Sequence, residues 1–350
     1  MGRATAAAVS WTEQGLVPDS VIRHGIRRLL RRRLHNIQAD DCELAAATQA
    51  GFVEMMNASP IALVPELANE QHYEVPAEFF CEVLGDHRKY SACYWPVGVE
   101  TLDEAEEEAL RITSMHAGIE DGMQVLDLGC GWGSLSLWIA ERFPNCSVTS
   151  VSNSTSQRDH IRKQAASLGL ANVEVIVCDM NDFRTDRRFD RIVSVEMFEH
   201  MRNYGMLFER ISNWLEDDGR FFMHIFCHRS TPYEFIDQGP SDWMSRHFFS
   251  GGIMPSDDLP LWFQRHLQLE ERWRWSGTHY AKTANAWLAN ADARKEEILR
   301  LFADCYGEEL ASMWLMRWRM FFMAVAELFD HENGQEWFVS HYRFRKGFSQ

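Results

Sequence analysis

The sequence predicts an α/β fold, a largely parallel sheet with helices on both faces. Five apolar runs, at 123–128, 147–152, 173–179, 189–200 and 219–228, alternate with segments of helical character. Within each run apolar residues stand side by side and do not alternate with polar ones, as in strands covered on both faces. A glycine-rich turn, Gly129-Cys-Gly-Trp-Gly133, follows the first run.

Taken in order, residues 20–34 (SVIRHGIRRLLRRRL) place Val21, Ile22, Ile26, Leu29, Leu30 and Leu34 at helical spacing with arginines opposite. Such a helix either touches an anionic membrane surface or docks on the domain. Docking is favoured, because Arg27 to Arg33 is one short basic run in an acidic chain. Thr101-Leu-Asp-Glu104 reads as a capping box opening a helix over 102–116. Further helices are expected from the glycine turn through Trp138, over 155–168 and near 204–215. Residues 229–262, rich in Pro, Gly, Asp and aromatics, read as an irregular lid. Helices near 281–326 and a strand over 336–346 complete the chain. Residues 1–70 are expected to form a helical extension capping a domain at 71–350.

Composition narrows the function. The 350 residues are 46% hydrophobic and 25% charged, with no run of the roughly 20 apolar residues that a membrane span needs. The start, MGRATAAAVSW, lacks the pattern of a secretory signal. Eight cysteines occur without a CxxC or a Cys/His cluster, which suggests reduced thiols, a cytoplasmic protein and no metal site. A net charge of −16 argues against nucleic acid and suits cationic small molecules. A homodimer is left open.

The chemistry starts at Val125-Leu-Asp-Leu-Gly-Cys-Gly-Trp-Gly133, where a strand reaches Asp127 and the turn carries Gly129, Gly131 and Gly133. Backbone that must lie against a ligand has no room for a Cβ. The last glycine comes one residue earlier than in the GxGxxG of dinucleotide enzymes. An acid in the loop suits a cofactor with a charged amino-acid end and no pyrophosphate.

Together with VLDLGCGWG, the segments HYEVPAEFF and KYSACYW (72–95), SVSNSTSQ (150–157), VEMFEH (195–200) and HYAKT (279–283) resemble the cyclopropane-fatty-acyl-phospholipid synthase superfamily, in particular its coclaurine N-methyltransferase branch. FFSGGIMPS (248–256) and ELFDHENGQEWFVSHYRFRK (327–346) also resemble that branch. The resemblance implies a class I methyltransferase sheet of Rossmann type using S-adenosyl-L-methionine and releasing S-adenosyl-L-homocysteine. It implies that Tyr90 and Ser91 grip the methionine end, above the loop of Gly129, Gly131 and Gly133. Asn153 and Gln157 would contact ribose, and Asp179 and Met180 would wall the adenine. The acid that closes the second strand in most methyltransferases is absent near 151–153.

Glu196-Met-Phe-Glu199-His200 stands at the carboxyl end of the fourth strand, where ligands bind in open α/β sheets. Two carboxylates three residues apart share a side if a helical turn starts there, and could hold a substrate ammonium. His200 is then the expected base, with a histidine's ordinary pKa. The resemblance adds His224 and Tyr280 to the pocket, and the lid aromatics Trp243 and Phe249 are further candidates. Cyclopropane synthases usually carry YSC where this chain has Tyr90-Ser91-Ala92, and a small residue where Glu196 stands. The expected reaction is therefore methyl transfer to a small-molecule amine, of tetrahydroisoquinoline or alkaloid type. Modification of an unsaturated fatty-acyl phospholipid is the alternative.

Overall fold

The computed structural model describes residues 2–38, 40–63, 76–237, 239 and 242–347. The expected boundary at 70/71 and the start of the HYEVPAEFF segment lie outside the described residues. Among the described residues, the helices α1 (Gly2–Glu13), α2 (Asp19–Ile37) and α3 (Cys42–Ala58) precede α4 (Ala77–Val83) and α5 (Leu102–Ala117). The capping box that starts α5 is formed: Thr101 accepts from the Glu104 amide and the Glu104 carboxylate accepts from the Thr101 amide.

The alternation then runs β1 (Gln124–Leu128), α6 (Ser134–Arg142), β2 (Ser147–Ser152), α7 (Thr155–Ser167), β3 (Val173–Val177), β4 (Phe189–Val195), α8 (Tyr204–Trp214) and β5 (Leu215–His228). The lid holds short pieces, β6 (Tyr233–Glu234), α9 (Trp243–His247) and β7 (Ile253–Met254). After it come β8 (Leu267–Trp275), α10 (Gly277–Ala293), α11 (Lys295–Tyr306), α12 (Glu308–Asp330) and β9 (Trp337–Lys346). The sheet order is β3-β2-β1-β4-β5-β9-β8, with β1 to β5 parallel and β9 antiparallel to both β5 and β8.

Both sheet faces are buried, as the unbroken apolar runs require. Leu126, Ile192 and Phe221 join the packing on one face, while Val125, Val193 and Phe222 join that on the other. A third, aromatic core gathers Phe79, Phe80, Trp132, Trp287, Trp318 and Phe322. On α2, Ile22, Ile26, Leu30 and Leu34 pack into that core. Arg23 and Arg27 pair with Glu327 of α12, and Arg33 with Asp242. The basic helix is docked on the domain.

One expectation on the elements needs correction, and one strand is added. The fourth strand does not reach 200. It ends at Val195, because Glu196 adopts φ +49, and a 3₁₀ turn spans Phe198–His200. Strand β8 was not foreseen, since its charges mask the period-two pattern of Leu267, Leu269, Trp273 and Trp275. It is an edge strand whose Glu270 and Glu271 pair with Arg220 and Arg343.

Candidate active site

Above the carboxyl ends of β1, β2 and β4 lie two adjoining hollows of about 780 and 640 Å³, both open to solvent. They share Gly129, Gly131, Gln157 and Glu196 as walls. The first is lined also by Asn153, Asp179, Met180, Met197, His200, Ser250 and Gly251. Lys89, Tyr90, Ser91, Asp127, Trp132 and Ser134 line the second. All ten residues expected to bind the cofactor, except Gly133, thus border this one elongated space.

The three glycines do different work. A Cβ on Gly129 would stand 2.8 Å from Met197, and one on Gly133 would stand 2.6 Å from Ile161. A Cβ on Gly131 would meet no protein atom within 4 Å, although Gly131 has φ +53 and borders both hollows. Gly129 and Gly133 serve packing, and Gly131 leaves room for a ligand. Asp127 sits on the floor, accepting a 2.6 Å hydrogen bond from Ser136, with burial pushing its pKa up to about 6. A buried carboxyl in that state gains from a cationic ligand. Gln157 is buried with its Oε1 accepting from Ser152, while its Nε2 has no acceptor in the protein. An orphaned amide donor facing an open space marks a place for a hydroxyl.

Lys89 was missed by the sequence reading, though it directly precedes Tyr90-Ser91. It is buried, with Nζ donating to Ser91 Oγ and the Ala92 carbonyl at 2.6 Å each. Burial lowers its pKa, while the Glu196 and Glu106 carboxylates oppose that.

Glu196 is the hub. Its backbone N–H donates to the His224 carbonyl, which holds the residue at positive φ at a cost of order 1–3 kcal/mol. Its carboxylate is fixed by three donors. Oε1 accepts from the Ala92 amide at 2.9 Å and from His224 Nε2 at 3.1 Å, and Oε2 accepts from the Tyr280 hydroxyl at 2.7 Å. An ionised carboxylate offers about four lone-pair sites, so Oε2 keeps one acceptor position. Burial works against the charge, but the His224 hydrogen bond and the Lys89 charge hold Glu196 below the usual carboxylate range. Glu199 behaves oppositely. It is fully buried, it borders neither hollow, and its Oε1 accepts from the Phe226 amide at 2.7 Å. Burial and the neighbouring Glu196 charge raise its pKa well above the usual range. The fold thus pushes the two carboxyls in opposite directions.

His200 faces the first hollow and stacks on Phe249, with ring centroids 5.7 Å apart. Its pKa is not that of an ordinary histidine. Burial lowers it to about 4, against the pull of Glu196, so the ring is neutral at physiological pH.

Three of the expected pocket residues lie elsewhere. His224 and Tyr280 sit behind Glu196 and bind its carboxylate, because the strand β5 and the helix α10 bring them to its far side. Trp243 turns away toward the N-terminal helices, where its indole N–H finds Glu13 at 3.1 Å. Phe248 and Phe263 are core, and Trp262 is exposed. Among the described residues no cluster suited to a metal ion occurs.

Residues 65–337 match the family described as mycolic acid cyclopropane synthetase. The chain belongs to that family. It is 36% identical to the (S)-coclaurine N-methyltransferase of Thalictrum flavum subsp. glaucum, over 95% of this chain and 94% of the relative. To the pavine N-methyltransferase of the same plant it is 32% identical, over 98% and 97%. A crystal structure of coclaurine N-methyltransferase bound to N-methylheliamine and SAH superposes with a TM-score of 0.95 at 36% identity, covering 98% of this chain and all of that one. A cyclopropane synthase structure from Mycobacterium tuberculosis, at 20% identity, gives 0.67 over 82% of this chain and 99% of that one, which speaks for the shared fold.

Proposed function

We propose that this chain is an S-adenosylmethionine-dependent N-methyltransferase acting on a small-molecule amine of tetrahydroisoquinoline or alkaloid type. One observation carries the reading: an anionic carboxylate, Glu196, is held by three donors at the junction of two hollows. A fixed negative charge there favours a sulfonium on one side and an ammonium on the other. The relatives named for amine methylation cover nearly the whole chain.

When bound, S-adenosylmethionine supplies an electrophilic methyl group on sulfur and leaves as S-adenosylhomocysteine. Tyr90, Ser91 and Asp127 would hold its amino-acid end, Gly131 would admit its backbone-facing edge, and Asn153 and Gln157 would take the ribose hydroxyls. Asp179 would accept from the adenine amino group, with Met180 against the ring. The residues then orient the nucleophile. Glu196 attracts the incoming ammonium through its remaining Oε2 acceptor site. Glu199, bound to the backbone of β5, positions the 3₁₀ turn that presents His200.

A base of pKa about 4 does not retain the proton of an amine, whose conjugate acid titrates at roughly 8–10. His200 acts as a hydrogen-bond acceptor for the neutral amine's N–H, which aims the nitrogen lone pair, and as a way station for a departing proton. The rise of turnover with pH belongs to the amine. Incubation with S-adenosylmethionine, a panel of amines of differing basicity and an unsaturated phospholipid, read by mass spectrometry, tests the whole reading. Methylated amine is expected, with the pH limb moving with the amine's own pKa. Conversion of phospholipid without any amine product would replace this reading with the lipid one.

A further inference from the structure

Behind Glu196 runs an unbroken chain of buried imidazoles. His224 Nε2 lies 3.1 Å from Glu196 Oε1, His224 Nδ1 lies 2.9 Å from His341 Nε2, and His341 Nδ1 lies 2.9 Å from His116 Nδ1. The fold sets this up from three distant parts of the sequence. His224 on β5 and His341 on β9 are direct cross-strand partners, and His116 comes from the last turn of α5. The rings are clamped: His116 stacks on Trp273 at 3.9 Å with planes 5° apart, and Trp275 lies against His341 at 4.2 Å. His224 and His341 are fully buried.

With Glu196 ionised and all three rings neutral, the donors in this chain have only one consistent arrangement. A carboxylate oxygen can only accept, so His224 must carry its proton on Nε2, which leaves Nδ1 as an acceptor. His341 must then be protonated at Nε2 and accept at Nδ1, and His116 must be protonated at Nδ1. With the neighbouring rings kept in these tautomers, protonating either His224 or His341 a second time would set two N–H groups against each other across 2.9 Å. Burial lowers the pKa of all three rings, to about 4 for His116. Among the charged groups facing the chain, the Glu196 carboxylate opposes this at His224, while two cations act with burial. Lys89 disfavours cationic His224 and His341, and Arg343 disfavours cationic His116.

We propose that His341 and His116 are positioning residues that lock the tautomer of His224, so that a neutral N–H always points at Glu196 and keeps it an anion for binding cationic substrate. The arrangement follows the logic by which a buried partner fixes the tautomer of a working imidazole. It rests on the reading of Glu196 as the charge that receives an amine.

His341→Leu removes the donor to His224 Nδ1, and the ring is then free to turn an acceptor nitrogen toward Glu196. His341→Gln keeps an obligate N–H donor at that place. The leucine variant should lose roughly 10- to 100-fold in kcat/KM for the amine, mainly through KM, with kcat and SAH affinity nearly unchanged. The glutamine variant should restore most of this. Equal behaviour of the two variants, or a loss in kcat with KM unmoved, would reduce the chain to packing. Imidazole nitrogen NMR of the unaltered protein at neutral pH needs neither a variant fold nor a substrate. It should report neutral Nε2–H tautomers for His224 and His341 and the Nδ1–H tautomer for His116, and the opposite tautomers would overturn the proposal. If the tautomers are as expected but no amine is methylated, the fault lies with the proposed function and not with the chain of donors.

Discussion

The hollow over the glycine turn and the network behind Glu196 share one carboxylate but are assembled in opposite ways. The hollow is built from short, contiguous pieces: the end of β1 with its turn, the β2–α7 junction and the end of β3. Each piece supplies its groups through the local course of the backbone, and several of those groups are left without protein partners, such as Gln157 Nε2. The network draws on residues 92, 116, 196, 224, 280 and 341, and its named polar contacts are satisfied within the protein. A surface that waits for a ligand carries unmet hydrogen-bonding groups, and a surface that holds a charge in place has its own groups paired.

The comparison breaks most sharply at Gly131. The space its Cβ would enter is open in the protein, so Gly131→Val should leave packing nearly intact, at some backbone cost from φ +53, while occupying the ligand's place. Calorimetric titration should show SAH affinity falling by more than about 100-fold, since nothing can relax around a filled contact surface. Gly133→Val, by contrast, should lower the melting temperature, because its Cβ meets Ile161 at 2.6 Å.

The next effect in size belongs to Glu196→Gln. The amide can still accept from Ala92 and His224 and donate to the Tyr280 oxygen, so the network's shape is kept and only its charge is lost. A charge-assisted hydrogen bond is worth about 1.5–3 kcal/mol. Steady-state kinetics should therefore show kcat/KM for an amine down roughly 10- to 150-fold, with SAH affinity nearly unchanged.

The smallest effect concerns stability in acid. His116, His200, His247 and His279 are half-buried or buried and titrate near 4, against 6.5 for a free histidine. Each depressed value means that the unfolded chain binds more protons between those limits, so stability is present above 6.5 and is lost as pH falls toward 4. Melting temperature should decline across that window. Hydrogen exchange should show the lid and α10, which carry His247 and His279, opening before β1 and β2. Uniform opening would mean that the two regions are not separable.

The order of elements, the glycine turn and the carboxylate cluster could be read from the chain itself, because they depend on neighbours along it. Continuous apolar runs announce strands buried on two faces, and Thr101 with Glu104 announces a helix start, through interactions that span three or four residues. Even Lys89 stood beside a recognised motif, but nothing local says that a lysine will be buried. The roles of Glu196, His224 and Tyr280 relative to one another, the tautomer chain through His341 and His116, and the turning of Trp243 toward Glu13 were decided by tertiary structure alone. Their partners lie about 28 to 230 positions apart in the chain. Which of two carboxylates three residues apart stays charged depends on how much water and how many donors the fold leaves each one, and that balance exists only once β5, β9 and α10 have closed around Glu196.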